Sequence, residues 1–312
     1  MFKSLFSSIV ILAVAGNVLF SQDYSFMLLR NNMSARAAGL SGSFEAMADD
    51  PNTLFFNPAA ISTVTKKNFS ATFFKHVLDI NSGLVTYIRD FEGIGRLAGS
   101  VNFTSYGSFD AADKYGNITG SFSASDLVFG VTYSNELDSN LYWGATAKFV
   151  FVTLEKASSV AFAVDAGLIY RIPEKRLNIG FSVLHAGAQI SRFGDISESL
   201  PLDVRIGLNH ALRGLPLLLN VSLHHLADNE DNFFDRFLNF SIGGEFSFGK
   251  NVEVRIGYDN SIRQNSAPDF DKKLSGFSGG LGLKFEDFNF DYGLAQISSY
   301  AYFHRFSLAL GL

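Results

Sequence analysis

The feature that most constrains this chain is a two-residue alternation of apolar and small or polar side chains, repeated from about residue 67 to the end. In Val252-Glu253-Val254-Arg255-Ile256-Gly257-Tyr258 one face is Val, Val, Ile, Tyr and the other Glu, Arg, Gly. Phe277–Phe285, Phe288–Leu294 and Tyr302–Leu312 repeat the pattern. Side chains on a strand point alternately to its two faces, so each segment reads as a strand with one apolar face. The segments fall near 67–76, 80–89, 94–106, 124–134, 141–152, 160–171, 176–186, 201–211, 215–226, 237–248, 251–259, 274–285, 287–296 and 302–312. That is about fourteen strands, an even number, each close to the ~9–11 residues that cross a bilayer at a tilt.

The connections sharpen the reading. Gaps at 90–93, 135–140, 172–175, 212–214, 249–250 and 286 are short; those at 107–123, 153–159, 187–200, 227–236, 260–273 and 297–301 are mostly longer. Short turns at one end and longer loops at the other are the layout of an up-and-down barrel in an outer membrane. The gap at 77–79 is short where a long one is expected. The last strand runs to Leu312; in a barrel it closes against the first strand, whereas in a sandwich it would leave an edge. The fold class expected is therefore all-β, a transmembrane outer-membrane barrel over 67–312. Glycine, serine and alanine on its inner face, such as Gly280, Gly282, Ser307, Ala309 and Gly311, leave room for water or for the N-terminal segment.

Composition agrees. The 312 residues are 47% hydrophobic and only 18% charged, with 33 Phe, 28 Gly and no Cys. Charge is below the usual quarter of a soluble chain. Without cysteine there is no disulfide, thiolate nucleophile or Cys-ligated metal, and a net charge of −5 disfavours nucleic acid as a partner. Lys3, the apolar stretch Ile9–Ala15 and Ser21-Gln22 have the layout of a signal peptide over 1–21 with cleavage near Ser21, so the chain is expected to be exported. No apolar run after residue 22 approaches the ~18 residues of a spanning helix.

Residues 22–66 lack the alternation. Asp50 before Pro51 and Asn57 before Pro58 can each cap a short helix with proline in its first position, so the segment reads as a compact hatch. The order Ser-Ala-Arg-Ala-Ala-Gly at 34–39, Gly42, Asp49-Asp50 and Asn57-Pro58-Ala59 resembles the PorV/PorQ family of outer-membrane proteins, itself related to fatty-acid transporters of the FadL type, fourteen-stranded barrels with an N-terminal hatch. The motif residues Arg36, Gly39, Gly42, Asp49, Asp50, Asn57 and Pro58 are then structural parts of the hatch. The resemblance implies a component of the type IX secretion system. It would be PorQ-like, anchoring a surface protein of the attachment complex, given the ending His304–Leu308, with a PorV-like cargo shuttle second. The alternative is a passive, FadL-like transporter of hydrophobic small molecules.

No enzyme, cofactor or metal is expected. No His-Glu-x-x-His, Gly-x-Ser-x-Gly or P-loop pattern occurs. His224 and His225, as neighbours on a strand, should face opposite sides. Ser182 lies near His185 and Ser222 near His224 in sequence, the residue types of an outer-membrane phospholipase. Asp228, Glu230, Asp231 and Asp235 share one outer loop and suit either a hard cation or plain solvation. Partners expected are outer-membrane lipid and a secretion-system surface protein. The latter would be met by the loop aromatics Phe109, Tyr115, Phe193, Phe233, Phe234, Phe270 and Tyr300.

Overall fold

The computed structural model describes residues 26–66, 68–194, 197–230, 232–266, 272–298 and 301–311. The expected signal peptide, Asp231, Phe270, Tyr300 and Leu312 lie outside the described residues. Fourteen antiparallel strands close into a barrel. They are β1 (Phe69–Lys75), β2 (Asn81–Phe91), β3 (Gly95–Ala112), β4 (Ile118–Asp138), β5 (Leu141–Leu154), β6 (Ala157–Ile172) and β7 (Leu177–Ser191), then β8 (Asp203–Ala211), β9 (Leu217–Leu223), β10 (Phe240–Phe248), β11 (Val252–Asp259), β12 (Phe277–Lys284), β13 (Phe288–Ser298) and β14 (Ala301–Leu310). Each strand pairs with its sequence neighbours, and β1 closes the ring on β14, Phe69 opposite Leu310 and Lys75 opposite His304. Closure leaves no edge with unpaired amides. Among the described residues no helix is long and apolar enough to cross a membrane.

The alternation sets which face is which. On β11 Glu253, Arg255 and Asp259 are buried toward the lumen while Val252 and Ile256 are exposed outside; on β14 Arg305 and Ser307 are buried and Phe306 and Leu308 exposed. This is the reverse of a soluble protein, with apolar side chains on the outside and charged ones within. Near the short-turn end the outer face carries Tyr87, Tyr133, Trp143 and Tyr170, with the Tyr133 and Trp143 rings 5.4 Å apart. Such rings suit the boundary between hydrocarbon and water.

Three connections differ from the sequence reading. The expected loop 107–123 is mostly hairpin, because β3 and β4 continue to Ala112 and from Ile118. The expected loop 153–159 shrinks to a turn at Glu155-Lys156, and 297–301 to the step between Ser298 and Ala301. Over 107–123 the alternation persists, Phe109 pairing with Phe122 and Asp110 with Ser121, but a bulge between Ser105 and Ser108 breaks its period. The longer connections, 192–202, 224–239 and 260–276, do lie at the loop end. The last contains the short helix α2 (Asn260–Asn265), capped by Asp259, whose carboxylate accepts from Ile262 N at 3.0 Å.

Residues 26–66 pack inside the barrel. They form a 3₁₀ turn at Met27–Arg30, the helix α1 (Ala35–Gly39), and 3₁₀ turns at Pro51–Phe55 and Pro58–Thr63. The Asp50 carboxylate accepts from Asn52 N at 2.9 Å and the Asn57 amide oxygen from Ala59 N at 3.1 Å, so both proline-led turns are capped as the sequence suggests. Phe44, Met47, Leu54 and Ile61 are buried in the interior.

Candidate functional site

Two features of the lumen matter for function: the seat that holds the hatch and the cavity above it. The seat is built from glycine. Four cross-strand glycine pairs face inward, Gly144 with Gly167, Gly180 with Gly207, Gly243 with Gly257 and Gly280 with Gly293. The hatch backbone lies directly on them. A Cβ added at Gly144 would stand 2.6 Å from the Pro58 carbonyl carbon, and at Gly257 2.5 Å from that of Leu40. At Gly180 it would strike the Glu45 carbonyl oxygen, and at Gly293 that of Ala35. Gly39 meets the last pair from the hatch side, since its own Cβ would fall 3.1 Å from Gly280 Cα.

Hydrogen bonds fix the hatch in register. Ala35 N donates to Ser307 Oγ at 3.0 Å, Ser41 N to Ser278 Oγ at 3.0 Å, and Ser182 Oγ to Phe56 O at 2.7 Å. Asn57 Nδ2 donates to Leu168 O at 2.8 Å and to Glu45 O at 3.0 Å, joining barrel wall and hatch through one amide. Asp49 accepts from Thr65 N at 2.8 Å and Thr65 Oγ1 at 2.9 Å. Gly42 turns the chain after α1 at φ +76°, a conformation that suits glycine.

Arg36 supplies the strongest tie. Its Nε and Nη2 donate to the two oxygens of Glu245 at 2.8 and 2.7 Å, and Nη1 reaches Asp50 at 3.2 Å. Glu245 also accepts from Arg255 Nε at 2.6 Å, and Arg255 continues to Asp291 at 2.6 Å and to Glu253, which Lys284 also meets. Glu245 and Arg255 are directly opposite on β10 and β11. Gly282 makes room for the guanidinium, whose Nη2 would be 2.6 Å from a Cβ there. A buried network of this kind contributes little net stability against an apolar core, but it fixes geometry, and removing one member strands the others. Of the motif residues, Arg36, Gly39, Asn57 and Pro58 meet the barrel wall, whereas Gly42, Asp49 and Asp50 have their partners within the hatch.

Above the hatch, toward the loop end, lies a cavity of about 440 Å³. Met27, Leu28 and Phe56 form part of its floor, and Ile262, Ile297 and Phe303 part of its walls. His224 and His225 both line it, contrary to the alternation expected of strand neighbours. They lie just beyond β9, and His225 adopts φ +55°, which turns its ring to the same side. His224 Nε2 is 3.3 Å from Asp259, and His225 Nε2 3.5 Å from Asp203. Arg205, between Asp203 at 2.7 Å and Glu45 at 3.2 Å, completes this polar wall.

The serine and histidine residues considered for catalysis do not meet. Ser182 is spent on Phe56 O and Ser222 on Glu45, while His185 sits at a bulge of β7 beside Asp165 and Lys148. Of the acidic outer loop, Asp228 pairs with Arg30, Glu230 accepts from Asn239 and Asp235 from Asn232. Among the described residues no group of three or more histidine, aspartate or glutamate side chains could hold a metal ion. Sequence reasoning missed the cavity-lining residues Arg205, Asp259 and Tyr106, whose convergence depends on strand register.

No family model matches the sequence, and no curated protein matches it. The resemblance of residues 34–59 to PorV/PorQ therefore has no independent support from these comparisons. Solved structures do match. The toluene transporter TodX of Pseudomonas putida superposes with a TM-score of 0.63 at 11% identity, covering 88% of this chain and 97% of that one. The monoaromatic hydrocarbon channel CymD gives 0.54 at 11% identity over 93% of this chain and 99% of that one. A Pseudomonas aeruginosa FadL homologue gives 0.50 at 11% identity over 89% and 98%. At such identities the match speaks for architecture alone, and the architecture is that of the FadL-type outer-membrane barrels.

Proposed function

We propose that the protein resides in the bacterial outer membrane, exported by a signal in residues 1–21, and admits hydrophobic small molecules passively from the loop side. The observation that carries this reading is the cavity of about 440 Å³ over the hatch, walled in part by Ile297 and Phe303 and floored by Met27, Leu28 and Phe56. Its volume is in the size class of small-ligand sites. Support comes also from the outer face, whose exposed Val, Leu, Ile and Phe suit lipid as the surrounding solvent. The shared architecture with channels described as passing toluene and monoaromatic hydrocarbons points the same way. Passage past the hatch requires it to shift in its seat, since residues 26–66 fill the lumen below the cavity. The test is the initial rate at which whole cells accumulate a radiolabelled monoaromatic compound. Deletion of the gene should lower the rate and complementation restore it; equal rates in both strains would remove the reading.

A second reading, a scaffold for a surface partner of a type IX secretion system, has one observation in its favour. The 3₁₀ turn Phe233–Leu238 presents Phe233, Phe234 and Phe237 at 64, 78 and 44% exposure in the long loop after β9. Mild-detergent purification from native membranes should then recover a secretion component with the barrel, and recovery of the barrel alone would discard it.

A further inference from the structure

One buried ionic cluster lies apart from both the Arg36 network and the polar wall of the cavity above the hatch. Lys148 on β5, Asp165 on β6 and His185 on β7 are only 4, 0 and 2% exposed. Lys148 Nζ stands 2.5 Å from Asp165 Oδ2, yet without the alignment of a hydrogen bond, so that Oδ2 is left unmet. Nζ is therefore at most one carbon–oxygen bond length farther from Cγ, close to the ~3–3.5 Å from which a nucleophile attacks.

A bulge brings in the third member. Val164 pairs with Ala186 and Ala166 with Val183, so Leu184 and His185 share the space opposite Asp165. His185 takes φ +62°, a strained value for a residue other than glycine. That backbone aims two groups at one pair of side chains. The His185 N–H donates to Asp165 Oδ1 at 2.8 Å, and ring Nδ1 lies 3.3 Å from Lys148 Nζ. An ordinary ion pair requires neither the bulge nor the ring, whereas an amine, a carbonyl carbon, an oxyanion donor and a base in one dry place are the parts of an acyl transfer.

We propose that this cluster modifies itself: Lys148 Nζ condenses with Asp165 Cγ into an amide that cross-links β5 to β6. Buried ions pair or neutralise, and moving one proton from Nζ to Asp165 Oδ2 gives the amine and the carboxylic acid. The amine attacks Cγ while the His185 N–H holds the negative charge on Oδ1. His185 Nδ1 takes one of the two protons on the nitrogen and returns it to the departing Oδ2 hydroxyl. The carbonyl re-forms, one water leaves, and no atom changes oxidation state. A cavity of about 40 Å³ lined by Lys148 has room for that water. In a chain with no cysteine the amide takes the place of a disulfide as a covalent tie between strands.

The site and its test are independent of uptake. Full-length protein is purified from membranes in detergent, shown to be a folded barrel by its slower migration after heating, then denatured and digested with trypsin. A cross-link blocks cleavage after Lys148 and joins residues 115–156 to 157–171, a species lighter by one water than the two peptides together. Mass spectrometry of wild type should find that species and no free 157–171. Lys148→Arg should release separate peptides. So should wild type taken from inclusion bodies and kept in urea, because the three strands converge only in the barrel. His185→Ala should leave the peptides largely unlinked. Folded wild type that releases free 115–148 and 157–171 in full overturns the proposal, and a His185→Ala barrel linked as completely as wild type overturns the role of His185.

Discussion

The glycine seat makes a demand that one pair of methyl groups can test. Adding a Cβ at Gly243 would place it 2.6 Å from Ser43 Oγ and 2.8 Å from Leu40 Cβ; at Gly257 it would stand 2.5 Å from the Leu40 carbonyl carbon and 2.6 Å from Ser41 N. Ser43 Oγ and Ser278 Oγ can rotate away, but Leu40 Cβ, the Leu40 carbonyl and Ser41 N are fixed by the hatch backbone, so side-chain rotation alone does not relieve the contact. Overpacking of this kind costs about 1–3 kcal/mol. Because the two sites share Leu40 as a neighbour, the Gly243→Ala/Gly257→Ala double variant should not cost the sum of the singles. If the cost falls on hatch seating, the opening equilibrium of residues 35–45 shifts by the same amount, and their amides exchange about 5- to 150-fold faster. Gly99 is the control. It lies on β3 with nothing within 4 Å of an added Cβ, so Gly99→Ala should leave hatch exchange unchanged. Hydrogen exchange read by mass spectrometry, on protein whose heat-modifiable mobility shows an intact barrel, measures both. Unchanged protection of 35–45 in the double variant, or equal acceleration in Gly99→Ala, would refute the argument that the seat depends on absent side chains.

Other outcomes follow from the same contacts. Glu245→Gln leaves Arg36 and Arg255 under-compensated; breaking a buried pair costs about 3–5 kcal/mol, and trypsin should then cut after Arg36 in folded barrel where wild type resists. Asp50→Ala removes a cap and a contact to Arg36, and should lower hatch stability by about 0.5–2 kcal/mol through the cap alone, seen as faster exchange at Asn52 and Thr53. In the β3–β4 turn, the Asn117 side-chain amide and then the Asn117 and Tyr115 backbone amides hold the Asp113 carboxyl below its ordinary value of 3.8. The native pKa being the lower one, the turn's added stability is complete above the unfolded value and is lost as pH falls through the folded value. The ¹³C carboxyl resonance of Asp113 should therefore titrate with a midpoint under 3.8, and a midpoint at or above it would contradict those bonds.

How far the sequence discloses such a molecule depends on whether a neighbour within two residues or a partner on another strand carries the information. Alternation is local, so Arg255 on the lumen face and Ile256 on the outer face were readable from Val252–Tyr258 alone. The hairpin over Gly95–Asp138 was only partly readable, since the bulge between Ser105 and Ser108 breaks the period before Phe109 and Phe122 resume it. The caps at Asp50 and Asn57 were legible because each acts on the two residues that follow it. His225 was misplaced because its left-handed backbone cancels the alternation that separates neighbours. The glycines of the seat are plain in the sequence, but that Gly243 pairs with Gly257 and Gly280 with Gly293 depends on register. Likewise alternation places Arg305 in the lumen, while its contacts with Asn32 O and the Phe74 ring depend on the hatch and on barrel closure.

The account turns on whether the cavity above the hatch receives apolar molecules, and anomalous diffraction from crystals soaked with iodobenzene tests that most directly. The account predicts an iodine peak inside the cavity bounded by Ile297, Phe303 and Phe56. Iodine peaks only on the lipid-facing surface, with the cavity empty of them, would contradict it.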